Sequence, residues 1–273
     1  MPFVDKAFAR RLEACEEMPQ VMYARILAKS KPEIGAAEEE ICGGHMSFAG
    51  LGSPIGRAGG MGLDRTFAKE DLDRIEDFYA KKKAPSQIDL CPLHDASVFA
   101  MVKERGYSIA ELNNVLYRKL DRAEKFAAAP EGHEIRRGAV DDSDAAGALV
   151  ERAFFPDGAP EGYRGLLGPI YQMEGGITFL AFAGSQLAAC AAGLAIPEHR
   201  VFALCGAGTA QEFRRRGLQT ALLHRRMAAA AEAGCEYVVV VTQGGSDSQR
   251  NCERLGFQVA YSKITVIKDW SAL

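Results

Sequence analysis

The sequence contains no run of about 18 apolar residues, so no membrane-spanning helix is expected. Its first residues, MPFVDKAFARRLEACEEM, mix acids and bases without an apolar core segment, which is not the composition of a secretory signal. No C-x-x-C pair occurs. The seven cysteines (Cys15, Cys42, Cys91, Cys190, Cys205, Cys235 and Cys252) are odd in number and widely scattered. That usage fits a reducing cytoplasm and excludes a zinc-ribbon framework. The five histidines are equally dispersed, with no H-E-x-x-H spacing, so no metal site is expected. Excess positive charge is also lacking. A net charge of −3 excludes a nucleic-acid surface over the whole molecule and leaves open only a local basic patch.

What is present is a globular composition, 48% apolar and 25% charged. A chain of 273 residues makes one large domain or two of ordinary size. Apolar residues at helical spacing (Phe8, Leu12, Cys15, Met22, Ile26, Leu27) predict a helical region over 3–30. In it Pro19 either starts a second helix or kinks the first, and Pro32 ends the region. From Glu38 to Asp64 glycines break the pattern into two strands joined by a turn at Ser53-Pro54. Gly50-Leu51-Gly52 with Gly56 imitates a phosphate loop, but Pro54 and the lack of a following helical pattern favour turn and strand glycines. Thr66 is the expected cap of a helix running through Leu72, Ile75 and Phe78. A strand at Gln87–Leu90, a helix from Asp95 to Arg105 closed by Gly106, and a strand from Tyr107 to Leu120 follow.

Asp121 to Gly132 reads as a linker, and beyond it the pattern starts again. The expected order is a strand at Glu134–Val140, helices at Asp142–Phe155 and Glu161–Tyr171, and a hairpin of Ile177–Phe182 with Gln186–Ala195. Strand Val201–Thr209, helix Arg216–Ala233, strand Tyr237–Thr242 and helix Ser246–Leu255 come next, and a final pair of strand segments spans Phe257 to Trp270.

One stretch carries recognisable chemistry, VFALCGAGTAQEFRRRGLQTALLHRRM from Val201 to Met227. A strand, an arginine-rich turn and a helix start gather free backbone N–H groups and the positive end of a helix dipole at one place, which suits phosphate. Gly217 lets the backbone approach a diphosphate, and the arginines add charge-assisted bonds. A dinucleotide-binding reading of GAGTAQ fails, because the third glycine is missing and no helix begins there.

With these elements in this order, residues from Glu134 to the C-terminus resemble the GCN5-related N-acetyltransferase (GNAT) superfamily. Its pyrophosphate motif Q/R-x-x-G-x-G/A falls on Arg214, Arg215, Arg216, Gly217, Leu218 and Gln219, with Gln219 in place of the small last residue. The resemblance implies an α/β fold with a mixed, mostly antiparallel sheet flanked by helices, and acetyl-CoA as cofactor. It gives Arg214–Thr220 to the diphosphate and the backbone of Ala207, Gly208 and Thr209 to the pantetheine arm, and adds Ser248 and Asn251. Ser246 and Arg250 read equally as caps and solvated residues.

The family's usual catalytic pair is not there. Its strand glutamate falls on Ala203, and its tyrosine acid falls on Cys252. Cys252 and Tyr261 remain as candidates for the chemistry, while Cys205 reads as core and His224 as a satisfied or solvent-facing side chain. Ala100–Leu120 parallels Asn251–Val266, each a helix, a Gly-aromatic pair and a long strand. This implies two tandem GNAT-like domains, 1–122 degenerate and without a cofactor loop, and 133–273 binding acetyl-CoA. The expected function is transfer of acetyl to a primary amine of a small molecule or aminoacyl substrate. The alternative is a non-catalytic acyl-CoA-binding or regulatory module. The expected setting is cytoplasmic, as a monomer or homodimer, without nucleic-acid or membrane partners.

Overall fold

A computed structural model describes residues 3–53, 55–121, 123–124, 126–159 and 163–269. The chain forms two compact units, and they do not follow chain order. The first comprises residues 1–116, 241–249 and 258–273; the second comprises 117–240 and 250–257.

In the first unit, helix α1 (Lys6–Ser30) opens on Asp5, whose carboxylate accepts the Phe8 N–H at 2.8 Å. Pro19 neither splits nor ends this helix. The ring removes a backbone bond at a cost of about 3 kcal/mol, but Phe8, Leu12, Cys15, Val21, Tyr23 and Leu27 are buried along both halves and hold it continuous. Strands β1 (Ala37–Ile41) and β2 (Gly44–Phe48) form a hairpin about Cys42-Gly43, where both residues take positive φ. The strand turn is therefore here and not at Ser53-Pro54. Ser53 lies in the longer connection to the two-residue β3 (Ala58–Gly59), and Pro54 lies outside the described residues. Helix α2 (Lys69–Lys81) begins at Ala68, and Thr66 is not its cap. A carboxylate makes the stronger bond, and Asp71 takes the Ala68 N–H at 2.9 Å. Strand β4 (Ser86–Leu90), helix α3 (Ser97–Glu104) and strand β5 (Ser108–Lys119) follow as expected.

The second unit opens with β6 (Glu134–Arg137) and α4 (Ser143–Phe154). Of the helix expected over Glu161–Tyr171, residues 160–162 lie outside the described residues. The remainder holds no α-helix and has a 3-10 turn at Gly168–Gln172, since Gly165 at positive φ and Pro169 do not sustain α-helix. Strands β7 (Gly176–Ala183), β8 (Gln186–Ile196) and β9 (Val201–Thr209) make an antiparallel meander. Helix α5 (Leu218–Glu232) then leads to β10 (Tyr237–Gln243) and α6 (Asp247–Arg254). The chain ends in β11 (Gln258–Lys268), one unbroken strand where a pair of segments was expected; Trp270 is outside the described residues.

Both units share one topology. An antiparallel run (β1-β2-β3; β7-β8-β9) is followed by a helical crossover (α2; α5) into a parallel neighbour (β4 beside β3; β10 beside β9). In the first unit the sheet is completed by β11, which pairs antiparallel with β4 from Ile264↔Leu90 to Lys268↔Ser86. Its core gathers Met46, Phe48, Leu72, Ile75, Phe78 and Ile88. In the second, Phe179, Ala181, Ala189, Ala191, Leu218 and Leu222 pack α5 on the sheet.

Candidate functional site

The arginine turn occupies the crossover of the second unit. After Thr209 the chain makes a single 3-10 turn at Gln211–Phe213, extends at Arg214 and enters the left-handed region at Arg215 (φ 62°) and Gly217 (φ 78°). Gly217 is the N-cap of α5 and brings no side-chain acceptor. Among the described residues no acceptor meets the N–H groups of Leu218, Gln219 and Thr220, and no acid stands in the first turn. The helix therefore presents bare donors and the positive end of its dipole to an anion. A diphosphate fits this donor set.

The side chains divide their work. Arg214 bonds the carbonyls of Ala153 (3.0 Å) and Thr209 (3.4 Å), and Arg216 bonds the Glu212 carbonyl (3.0 Å) and lies over the Phe213 ring. These two pin the loop. Arg215 is exposed and makes no such bond among the described residues, so its charge is the one left for a ligand. The Gln219 amide turns inward to the Thr209 hydroxyl at 2.9 Å, tying the helix start to the end of β9 and not reaching outward.

The corresponding crossover of the first unit has the opposite chemistry. There Asp71 accepts the Ala68 N–H while Arg65 grips the same carboxylate with two bonds, at 2.9 and 2.7 Å. Glu70 stands beside it. An internal carboxylate fills the place an anionic ligand would take, and burial with two acids in the first turn repels phosphate.

On β9 the ladder to β10 runs only from Val201↔Tyr237 to Ala203↔Val239, so from Leu204 onward that edge of β9 has no β10 partner. The pairing with β8 shifts register between Cys190 and Ala192, a bulge for which Gly206 takes φ 51°. The Tyr171 hydroxyl bonds the Gly206 carbonyl at 2.7 Å and locks it. Gly208 is glycine for packing, since a Cβ would stand 2.9 Å from Val150 of α4.

The residues at the family's catalytic positions are buried. Ala203 is 1% exposed and Cys252, on α6, 2%. Burial pushes the Cys252 thiol up to about 11, and that of Cys205 likewise to about 11, so neither is a ready nucleophile. Asn251 is half-buried on the same helix and Ser248 is exposed in its first turn. The Ser246 hydroxyl accepts the Gln249 N–H at 3.2 Å, the capping role. Tyr261 belongs to the first unit and donates to Glu13 at 2.6 Å. His224 accepts the Ala127 N–H at 3.1 Å, and burial lowers its basicity.

Two features escaped the sequence reading. One is Arg226, on the buried stripe of α5 set by Leu218, Leu222 and Ala229, where helical spacing alone marks it as inward. The other is the charged interior of the first unit, where Glu13, Glu16, Glu17, His45, Arg57, Asp89 and Lys263 enclose space for about one water molecule. Those charges are paired internally: His45 meets Glu17 at 2.5 Å, which raises its pKa, and Arg57 meets Asp89 at 3.3 Å. Among the described residues no cluster of histidine, cysteine and acids is arranged to hold a metal, and no helix is long and apolar enough to cross a membrane.

Comparison with known proteins agrees with this geometry. The model of the acetyltransferase (GNAT) family matches residues 148–257, which contain β9, the turn, α5, β10 and α6. No curated protein matches the chain. A GCN5-related N-acetyltransferase from Kribbella flavida is similar in structure at 18% identity and TM-score 0.65, covering 90% of this chain and 95% of that one. A tandem GNAT protein from the clavulanic acid biosynthesis pathway covers 82% and 77% at 13% identity and TM-score 0.59. A GCN5-related N-acetyltransferase from Sphaerobacter thermophilus covers 72% and 64% at 18% identity and TM-score 0.53. Residues 148–257 thus match the acetyltransferase (GNAT) family, and the fold and repeated topology of the chain are those of GNAT proteins, with the arginine turn inside the matched segment.

Proposed function

We propose that the protein is an N-acetyltransferase that moves acetyl from acetyl-CoA to a primary amine of a small-molecule or aminoacyl substrate in the cytoplasm. The acetyl-CoA-binding domain expected over 133–273 is, in this reading, the unit of residues 117–240 and 250–257, and the degenerate GNAT-like domain expected over 1–122 is the unit that also takes in 241–249 and 258–273 and has no cofactor loop. The observation that carries this reading is the uncapped, acid-free start of α5 behind three arginines, beside an equivalent crossover whose N-terminus is filled by Asp71.

In this reading the N–H groups of Gly217, Leu218, Gln219 and Thr220 hold the diphosphate, with Arg215 adding charge and Arg214 and Arg216 keeping the loop in shape. The open edge of β9 at Ala207, Gly208 and Thr209 offers its backbone to the pantetheine arm, and Ser248 and Asn251 line the thiol end. When bound, acetyl-CoA supplies a thioester whose C–S bond breaks as the amine forms its C–N bond. The residues around it exclude water and fix the approach of the amine. With Ala203 apolar, proton removal from the amine falls to water or to a group supplied with the substrate.

Calorimetry with acetyl-CoA tests the reading. Binding is expected, and Arg215→Glu should weaken it more than tenfold by placing a carboxylate at the phosphates. No heat of binding at millimolar ligand would sink it. The buried alanine and cysteine at the catalytic positions favour a second reading, an acyl-CoA-binding module without turnover. A broad amine screen with thiol-release detection separates the two, and turnover above background hydrolysis removes the second.

A further inference from the structure

Arg226 is a buried cation without a counter-ion. It is 2% exposed, and among the described residues no aspartate or glutamate pairs with it. Its Nε donates to the Leu222 carbonyl at 3.2 Å and one terminal nitrogen to the Ala192 carbonyl at 3.2 Å. Two carbonyls use two of its five N–H donors, and the other terminal nitrogen has no bond among the described residues. A lone charge in such surroundings costs several kcal/mol, and methionine would fill the same volume without that cost.

Its position is specific. Ala192 is the ladder partner of Cys205, and Cys205 stands two residues past Ala203, where β9 loses its β10 neighbour. Burial is the largest influence on it, and the titratable groups around it are thiols and a phenol, Cys205, Cys252, Tyr171 and Cys190, all kept neutral by their own burial. Cys252 is also the position at which the family's tyrosine acid is missing. The guanidinium thus sits in a sulfur-lined interior, bonded to the β8 carbonyl that faces Cys205, two residues past the point where β9 loses its β10 neighbour.

We propose that Arg226 receives the leaving thiolate, its guanidinium holding the sulfur's negative charge in place of the absent tyrosine. The inference rests on the acetyl-CoA reading above. The amine nitrogen bonds the acetyl carbon, the C–S bond breaks with its electron pair passing to sulfur, and the ammonium proton goes to water. Arginine keeps its own proton throughout, so it acts by charge and hydrogen bonding and not as an acid. A buried site with low dielectric makes that charge count for more than it would in water.

The test needs no acceptor. The thiol of CoA bound to the full chain is titrated by the ultraviolet absorbance of its thiolate, with the desulfo-CoA complex subtracted to remove the protein's own cysteines. In the wild type the bound thiol should titrate at least about one pH unit below free CoA in the same buffer, a tenfold gain in thiolate. In Arg226→Met and Arg226→Gln the shift should vanish while CoA affinity, read by calorimetry, stays within a few-fold. Either variant decides the matter. A wild-type thiol at or above the free value overturns the proposal whether or not the variants fold, and so does a depression that persists in a variant. Calorimetry separates these results from failure of the acetyl-CoA reading itself, which would show as no CoA binding by the wild type.

Discussion

Replacing Lys263 by methionine probes the interior of the first unit. Its Nζ stands 3.5 Å from Glu13, 3.4 Å from Asp89 and in contact with Glu16, and Glu13 and Asp89 are each 1% exposed at the side chain. The variant leaves both carboxylates in place without their shared cation. Breaking a buried pair typically costs 3–5 kcal/mol. Asp89 keeps Arg57 and a 2.6 Å bond from Thr265, and Glu13 keeps Tyr261, which puts the expected loss at the lower end, about 3 kcal/mol.

The pH dependence follows from the directions of the shifts. In the wild type the carboxylates hold Lys263 above its usual range, so its contribution is whole at neutral pH and fades only as pH rises through that folded value. Burial is the largest influence on Asp89, but Lys263 and Arg57 outweigh it and keep its pKa low. That contribution fades only as pH falls through the depressed value. Burial already raises Glu13. Without Lys263 the folded carboxylates bind protons that the unfolded chain does not, so the variant gains stability as pH falls from 7 towards 5, and its deficit narrows. Urea denaturation followed by circular dichroism at the two pH values reads both effects. Adding Glu13→Gln should recover about 1 kcal/mol through the shared network. A deficit under about 0.5 kcal/mol at pH 7, ordinary for a surface change, or one that widens at pH 5, would refute the reasoning.

Three further outcomes are expected. Gly217→Val forces a branched side chain to φ 78°, costing about 1–2 kcal/mol, and should reduce acetyl-CoA affinity more than tenfold; unchanged calorimetry would count against the loop. Asp142, gripped by Arg136 with two 2.8 Å bonds and by the Ala139 N–H, titrates at about 2 against an ordinary 3.8, so its stabilisation is lost as pH falls through that interval. Asp142→Asn should lose that part of the acid unfolding curve. Tyr79→Phe removes a buried bond to the Ser47 carbonyl and should cost about 1 kcal/mol by denaturation.

Elements with a strong local signal were readable from the sequence. The alternation of β7, β8 and β9, the valine run of β10 and the arginine turn before α5 each carry their own pattern, so these elements are legible without the geometry. The misses come from long-range effects. Pro19 is carried by side chains buried on both sides of it. The β1-β2 turn uses Cys42 in a left-handed conformation that no propensity favours, and the cap of α2 is decided by a carboxylate three residues inside the helix. Lys263 and Arg226 carry no local signal of burial strong enough to single them out, because a lone letter does not show what the facing strand supplies.

The assignment of β11 to the first unit has a consequence for biosynthesis. The strand bearing Tyr261, Lys263 and Thr265 is made some 150 residues after β5 begins. At a synthesis rate of about 5–20 residues per second, Asp89 waits roughly 9–35 s and Glu13 roughly 13–50 s for their cation. Through that interval the N-terminal segment holds uncompensated acids and an unpaired edge on β4, a nascent species on which holding chaperones would act. A stop codon at Ser262 would therefore spare the arginine turn and damage α1 and β4, whose acids lie far earlier in the chain.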